Sequence, residues 1–327
     1  MRPTVVISYG FPDTEVEREV LSVIDAEVIQ VDGLASSESL EPLRDADALM
    51  VTLQPVPAAT VARMKCCRII SRVGTGTDAV DLQAASERGI WVTNVPDYAM
   101  DEVSTHTLAL LLAHARQLPR TLELTSKGVW DSSQVPPIRR LSGQTLGLLG
   151  FGRIGRAVAA KGRGLGLGVV VHDPYINAGT AEAEGVQAVD LETLLRVSDY
   201  VSLHAPLTEG TRNIIGAEAL GLMKPTAFLI NTARGGFIDL DALLTAVRAG
   251  KIAGAALDVL PEEPPLSDHP LLREERVMLT PHIAWYSEEA QRDMRVRGAE
   301  EVVRVLRGEV PRSPVNRVAH APQSILD

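Results

Sequence analysis

The chain has 327 residues, 45% of them apolar and 23% charged, which excludes a disordered, collagen-like or small disulfide-stapled protein and leaves room for two domains. Acidic side chains outnumber basic ones 42 to 32, and the formal charge of -10 repels phosphate backbones and anionic lipid, so neither nucleic acid nor a membrane is an expected partner. The cysteines, Cys66 and Cys67, are neighbours without a metal-ligand spacing, which suits a reducing, cytoplasmic setting and no bound metal.

The chain opens on Met-Arg-Pro and the short apolar run Thr4–Ser8, too brief for a signal-peptide core, and no apolar stretch reaches the roughly 18 residues of a membrane span. From there apolar runs alternate with helical segments, the pattern of a parallel sheet with crossover helices. Strands are expected over Thr4–Ser8 and residues 27–31, 48–52, 68–73 and 91–94, with helices near 15–24, 57–64 and 82–88. Near Asp101 the texture changes. Asp101 and Glu102 suit the first turn of a helix whose interior is the apolar run 108–113, and a domain boundary is expected there. Residues 128–143, with Pro136, Pro137, Arg139 and Arg140, read as a long connection. A second series of strands follows at 145–149, 169–173, 200–204, 227–232, 253–259 and 277–280. Residues 287–307, acidic early and basic late, form a closing helix that is expected to return to the first domain.

The segment Gly147-Leu-Leu-Gly150-Phe-Gly152-Arg153-Ile154-Gly155 follows an expected strand and opens an expected helix. Gly150 permits a tight turn, Gly152 lets backbone approach a pyrophosphate at the helix N-terminus, and Gly155 lets helix and strand pack closely. Asp173 follows Gly155 by 18 residues, at the end of the next strand. A carboxylate there hydrogen-bonds ribose hydroxyls and repels a 2'-phosphate, so NAD is expected over NADP.

Three further polar residues, Arg234, Glu263 and His282, each lie just past an expected strand, at the edge where open parallel sheets place their ligands. A 2-oxo acid needs a cation for its carboxylate and carbonyl, which a planar guanidinium provides, and an acid that returns as a base, which imidazole provides. A carboxylate beside the imidazole orients it. Arg234, His282 and Glu263 are the respective candidates.

These motifs resemble the D-isomer-specific 2-hydroxyacid dehydrogenase family over nearly the whole chain. Within it, the runs Asn231-Thr-Ala-Arg-Gly-Gly, Gly254-Ala-Ala-Leu-Asp-Val and Thr280-Pro-His-Ile-Ala-Trp-Tyr-Ser-Glu are most similar to the branch of C-terminal binding proteins. The resemblance implies an α/β fold of two Rossmann-like doubly wound parallel-sheet domains with a cleft between them. Residues 1–100 with 286–327 would form a substrate domain and residues 101–285 an NAD-binding domain. It also implies catalytic roles for Arg234, Glu263 and His282, substrate contacts from Arg72, Val73, Gly74 and Trp285, and cofactor contacts from Thr75, Arg153, Ile154, Asp173, Ala205, Pro206, Thr211, Thr232, Ala233 and Asp258. A homodimer paired through the cofactor domain, around residues 100–140, is expected, with hinge closure carrying Arg72 and Gly74 toward Arg234.

Two departures stand out: Val51 and Thr52 occupy the place of a Tyr-His pair in that branch, and no long extension follows the closing helix before Asp327. The leading expectation is therefore an NAD-dependent reductase of a small 2-oxo acid. The alternatives are an NAD-gated binding protein and a dehydrogenase of a phosphonate or phosphite-like anion.

Overall fold

Strands of a parallel sheet are covered on both faces, so their sequences read as unbroken apolar runs rather than as alternations. The computed structural model describes residues 2–319 and 324–326. In it such runs form two separate all-parallel sheets. The chain divides into two units, Met1–Tyr98 with Ser287–Asp327, and Ala99–Tyr286.

The first unit begins with β1 (Thr4–Ser8), α1 (Glu15–Leu21), β2 (Glu27–Gln30), α2 (Ser37–Leu40), β3 (Ala48–Val51), α3 (Ala58–Val61), β4 (Ile69–Arg72), α4 (Leu82–Glu87) and β5 (Trp91–Thr93). Its strands run in the order β2-β1-β3-β4-β5. Every residue of β3 and β4 is buried. The helix expected over 15–24 ends at Leu21 and continues only as a 3-10 turn, Ser22–Ile24, closed by Asp25 in the left-handed conformation. The expected helix at 57–64 shortens to the four residues of α3.

The second unit comprises α5 (Met100–Ala115), α6 (Leu118–Ser126), β6 (Thr145–Leu149), α7 (Arg153–Gly164), β7 (Gly168–His172), α8 (Ala178–Ala183), β8 (Gln187–Ala188), α9 (Leu191–Val197), β9 (Tyr200–Leu203), α10 (Ala217–Leu222), β10 (Phe228–Asn231), α11 (Leu240–Arg248), β11 (Gly254–Leu257) and β12 (Val277–Leu279). Its sheet has seven strands in the order β12-β11-β10-β9-β6-β7-β8. Several elements have no counterpart in the sequence reading: α2 in the first unit, and α6, α8, α9, α10, α11 and the edge strand β8 in the second. The edge strand β8 pairs only two residues with Val170 and Val171, too few to leave a periodicity. Helix α6 buries Leu124 while Leu118 and Leu122 face outward, so its apolar residues do not form one stripe.

Alternation along the strands divides the core of this unit. Leu229 and Leu257 pack on one face of the sheet, and Phe228, Ile230 and Ala256 on the other.

The closing helix α12 (Glu288–Leu306) belongs to the first unit and is capped by the Ser287 hydroxyl, which accepts the Ala290 amide. It is held to α1 by a buried ion pair. Arg295 donates through Nε and Nη2 to the two carboxylate oxygens of Glu17, at 2.7 Å each, and through Nη2 to Asp13 Oδ1 at 2.9 Å. Glu17 is wholly buried, and the guanidinium lies 5.2 Å from the centre of the Phe11 ring. Removing one partner strands a charge away from water. Arg295→Leu should therefore cost about 3–5 kcal/mol in urea unfolding, and adding Glu17→Leu should restore much of the loss. A single variant as stable as wild type would show that the pair contributes nothing.

Candidate active site

The candidate residues of the second unit follow from its topology. From β6 the chain runs outward to β7 and β8, then returns to β9 on the other flank of β6, so the strand order reverses at the β6–β9 pair. A ligand crevice opens at the carboxyl ends of strands around such a point. Gly150 follows β6, Asp173 follows β7, Ala205 and Pro206 follow β9, residues 232–234 follow β10, Asp258 and Glu263 follow β11, and His282 and Trp285 follow β12.

At Gly150 the backbone has φ +96, and a Cβ would lie 2.5 Å from the Ala205 amide nitrogen and 2.6 Å from the His204 carbonyl carbon, so only glycine lets the β6 and β9 ends meet. Gly152 caps α7 in extended conformation with open space where its Cβ would stand, and Gly155 packs against the Gly150 carbonyl. Arg153 is exposed, and Ile154 packs partly against the core. The carboxylate of Asp173 is held at both oxygens, accepting the Phe151 amide at 2.8 Å and the Tyr175 amide at 2.9 Å. An uncrowded helix N-terminus beside an oriented carboxylate fits a dinucleotide: amides for the pyrophosphate and acceptors for ribose hydroxyls. The hydroxyl of Thr211 is engaged in its own turn, donating to the Pro206 carbonyl at 2.8 Å and accepting the Thr208 amide at 2.8 Å.

Three loops, after β10, β11 and β12, present the polar trio. Asn231 is fully buried; its amide donates to the Arg234 carbonyl at 2.8 Å, and its carbonyl oxygen accepts the Ala233 amide at 3.0 Å, which folds the segment after β10 back on itself. A Cβ on Gly235 would lie 2.0 Å from the Leu260 carbonyl carbon, so the loops after β10 and β11 touch through backbone. Arg234, partly buried, donates through Nη1 to the Ala233 carbonyl at 2.7 Å. His282 Nδ1 lies 2.6 Å from Glu263 Oε2, while Glu263 Oε1 accepts the Leu260 amide at 2.8 Å. Burial alone pushes the Glu263 carboxyl up, but the hydrogen bond with His282, the Leu260 amide and the charges at His282 and Arg234 outweigh it and hold the group below the usual carboxylate range.

Asp258, 2% exposed, organises the segment that carries His282. Its Oδ1 accepts the Thr280 hydroxyl at 2.6 Å and the Ile283 amide at 2.9 Å, its Oδ2 accepts the Ala284 amide at 2.9 Å, and its carbonyl accepts the His282 amide at 2.9 Å. His282 itself adopts φ +53, in the left-handed region. Trp285, two residues past Ile283, is partly buried, its ring edge-on to Tyr286 with centroids 5.5 Å apart. Asn231 and Thr280 were part of the motifs read from the sequence but carried no role there, because an amide or hydroxyl that ties a loop leaves no chemical signature of its own.

Arg72, Val73, Gly74 and Thr75 lie at the carboxyl end of β4, in the first unit. Arg72 is buried, with Nη1 donating to the Val73 carbonyl at 3.0 Å and its guanidinium lying in the space a side chain at position 74 would need. The Val73 amide is engaged by the Val51 carbonyl at 2.7 Å, and its side chain is buried, which leaves Gly74 as that loop's candidate amide donor. Thr75 donates to the Val95 carbonyl.

The D-isomer specific 2-hydroxyacid dehydrogenase NAD-binding domain matches residues 108–284, more than half of the chain. The protein belongs to the D-isomer specific 2-hydroxyacid dehydrogenase family. Among its relatives, a D-3-phosphoglycerate dehydrogenase of Methanocaldococcus jannaschii is 41% identical over 302 residues, covering 92% of this chain and 57% of that protein. The chain thus spans about half the length of the phosphoglycerate dehydrogenases it matches. A glyoxylate reductase of Korarchaeum cryptofilum is 39% identical over 282 residues, covering 85% of each chain. The structure of a D-lactate dehydrogenase from Aquifex aeolicus, complexed with NAD and lactic acid, superposes with a TM-score of 0.89 at 28% identity, covering 97% of this chain and all of that one. This member of the family therefore carries its NAD-binding domain in the second unit. Among the described residues, no helix is long and apolar enough to cross a membrane, and no cluster of three or more His, Cys, Asp or Glu side chains could hold a metal ion.

Two histidines of this unit are kept neutral by burial. His204, beside Gly150, and His114, stacked on Phe228 with ring centroids 3.7 Å apart, are both pushed down to about 4 by desolvation. Unfolded histidine takes up its proton near 6.5, so between about 6.5 and 4 the unfolded chain binds protons the folded one refuses, and stability falls as pH falls. The slope is at most about 1.4 kcal/mol per pH unit for each histidine. In urea titrations across that range, His114→Phe, which keeps a flat ring on Phe228, should remove roughly half of this dependence. An undiminished slope would rule out the burial of His114 as a cause.

Proposed function

We propose that this chain is an NAD-dependent reductase of a small 2-oxo acid, running in reverse as a D-2-hydroxyacid dehydrogenase. The observation that carries the reading is the 2.6 Å contact of His282 with a Glu263 carboxylate that is held in its ionised form, on a loop touching the one that bears Arg234. The support from relatives is that glyoxylate reductases and a D-lactate dehydrogenase resemble the chain over most of its length.

An ionised carboxylate only accepts hydrogen bonds, so the 2.6 Å partner atom of His282, Nδ1, carries the hydrogen. That leaves Nε2 as the nitrogen that delivers a proton to the carbonyl oxygen in reduction and receives it in oxidation. Bound NADH supplies the hydride for the carbonyl carbon. The Arg234 guanidinium, steadied by its bond to the Ala233 carbonyl, takes the substrate carboxylate and polarises the adjacent carbonyl. Within the first unit, Arg72 and the Gly74 amide are the candidate groups for an anion, and within the second Trp285 is the candidate for contact with the substrate side chain. Gly150, Gly152, Arg153, Ile154 and Gly155 receive the pyrophosphate, Asp173 the adenosine ribose, and Thr232, Ala233 and Asp258 the nicotinamide end. The exposed apolar side chains Leu118, Leu122, Trp130 and Ile138, close together in sequence on the second unit, support pairing with a second copy of the chain through that unit.

Both oxygens of Asp173 are oriented by backbone amides, so its charge is fixed where a 2'-phosphate would arrive. The protein should use NADH better than NADPH by about 100-fold, and Asp173→Ala should narrow that gap. Equal kcat/KM for the two cofactors would refute the assignment.

NADH absorbance followed against a panel of 2-oxo acids, including an aromatic one and a phosphonate, tests the reaction itself. NADH binding without turnover of any member would favour the binding-protein alternative. Arg234→Lys keeps the charge but loses the fork and should lower kcat/KM about 10- to 100-fold. His282→Ala should lower kcat by about two to four orders of magnitude while NADH still binds. Glu263→Gln removes the negative charge at the ring, so the alkaline limb of the reduction profile should move to lower pH, and an unmoved limb would exclude the pairing from the mechanism.

A further inference from the structure

The loop bearing His282 is tied not only to Asp258 but also, through Thr280, to a helix that none of the functional motifs includes. His106, on α5, places Nε2 3.1 Å from the Thr280 hydroxyl oxygen and 3.7 Å from Asp258 Oδ1. The next residue, Thr107, fully buried, places its hydroxyl 2.9 Å from that of Thr232, in the segment leading to Arg234.

The direction of each bond follows from counting hydrogens. Asp258 is an acceptor, so Thr280 spends its only hydroxyl hydrogen on it at 2.6 Å, and the Thr280 oxygen can then only accept from His106. His106 therefore carries its hydrogen on Nε2. Thr107 spends its hydrogen on the Val103 carbonyl of its own helix at 2.8 Å, so it is Thr232 that donates to Thr107. Each contact has one donor and one acceptor with no conflict, the condition under which a buried polar chain specifies a single arrangement.

From these bonds we infer that α5 is the strut that sets the catalytic loops. On this view His106, acting through Thr280 and Asp258, and Thr107, acting through Thr232, are positioning residues for His282 and Arg234. The inference rests on the roles proposed above for those two side chains. Neighbouring residues on a helix point about 100° apart, so His106 and Thr107 reach different loops, and the sheet order β12-β11-β10 sets those loops on either side of the one that begins with Asp258. The consequence for His282 is direct. Its φ of +53 lies in the left-handed region, uncommon for a residue other than glycine, and the bonds from Asp258 to residues 282–284 hold it there. Thr280 and His106 in turn fix the rotation of the Asp258 carboxylate, so that Oδ1 meets Ile283 and Oδ2 meets Ala284. Removing the hydroxyl lets the carboxylate turn, and the histidine loop loses its template.

A role confined to packing and a role in positioning separate experimentally. Thr280→Val and His106→Leu, which keep volume but delete the bonds, should lower kcat about 10- to 100-fold with KM for the oxo acid within about threefold of wild type. Thr107→Val should instead act on the Arg234 loop and raise KM about tenfold. Thr280→Ser and His106→Gln, which keep a hydroxyl and a donor at the right reach, should recover most of the loss. In the protein without substrate, amide hydrogen exchange at Ile283 and Ala284 should quicken in Thr280→Val and return in Thr280→Ser.

Wild-type kcat in both Thr280→Val and His106→Leu would overturn the inference. So would an equal fall in kcat for all three apolar variants that tracks their melting temperatures, since packing alone predicts that. If the wild-type protein reduces no 2-oxo acid, the proposed function fails, and the exchange measurement decides the tie by itself: unchanged exchange in Thr280→Val overturns it, and quickened exchange restored by serine supports it.

Discussion

A carboxylate that is 2% exposed has to find donors for its lone pairs, and the second unit is arranged around how Asp258 finds them. β11 ends one residue earlier, at Leu257, so the acid lies at the carboxyl edge of the sheet, where no strand neighbour supplies side-chain partners. Its donors are the Thr280 hydroxyl and the amides of Ile283 and Ala284, all from the segment after β12. Satisfying one buried charge therefore folds a neighbouring loop, and the left-handed turn at His282 is the geometric result. A replacement by asparagine would present a donor to one of these amides, so the constraint is one of charge and acceptor count rather than of size.

The same economy recurs along that edge. Asn231 uses its amide and its carbonyl to fold the segment carrying Arg234, and Glu263 divides its two oxygens between the Leu260 backbone and His282. Asp173 divides its own between the Phe151 amide, inside the glycine turn after β6, and the Tyr175 amide after β7. In each case a side chain ties a backbone loop, and for Glu263 and Asp173 those bonds also keep the charge in place. The family whose NAD-binding domain matches residues 108–284 is thus represented here by loops whose shapes are set by polar side chains, on a sheet whose shape is set by apolar ones.

The first unit is built on the other principle. Its longest helix is anchored by a charge pair buried on both sides, Arg295 with Glu17, and by the Ser71 hydroxyl donating to the Gly298 carbonyl at 2.9 Å. A Cβ at Gly298 would lie 2.9 Å from Val73, so α12 presses directly on the strand that ends in Arg72 and on the turn through Gly74. The return of the chain after Tyr286 thereby supports the β4 loop from beneath.

What could be read in the sequence was whatever repeats or is chemically costly. The apolar runs announced two parallel sheets, because a strand covered on both faces has no polar alternation, and Gly150, Gly152, Gly155 and Asp173 announced a dinucleotide turn, because each residue type there answers a steric or charge requirement of the ligand. Arg234, Glu263 and His282 drew notice as reactive groups just past strands. The two-residue strand β8 and the helix α6 left no trace, since the first is too short for a period and the second has no single apolar face. Nor did the sequence distinguish His106 from a surface histidine or Thr280 from any hydroxyl after a strand. Those two meet Asp258 from positions 152 and 22 residues away, and only the packing of α5 along β10, which brings His106 to the segment after β12, makes a donor of the one and a relay of the other. Local pattern determined the elements and their chemistry. The register of side chains between elements, which depends on how helix and sheet close on one another, was decided by the tertiary structure alone.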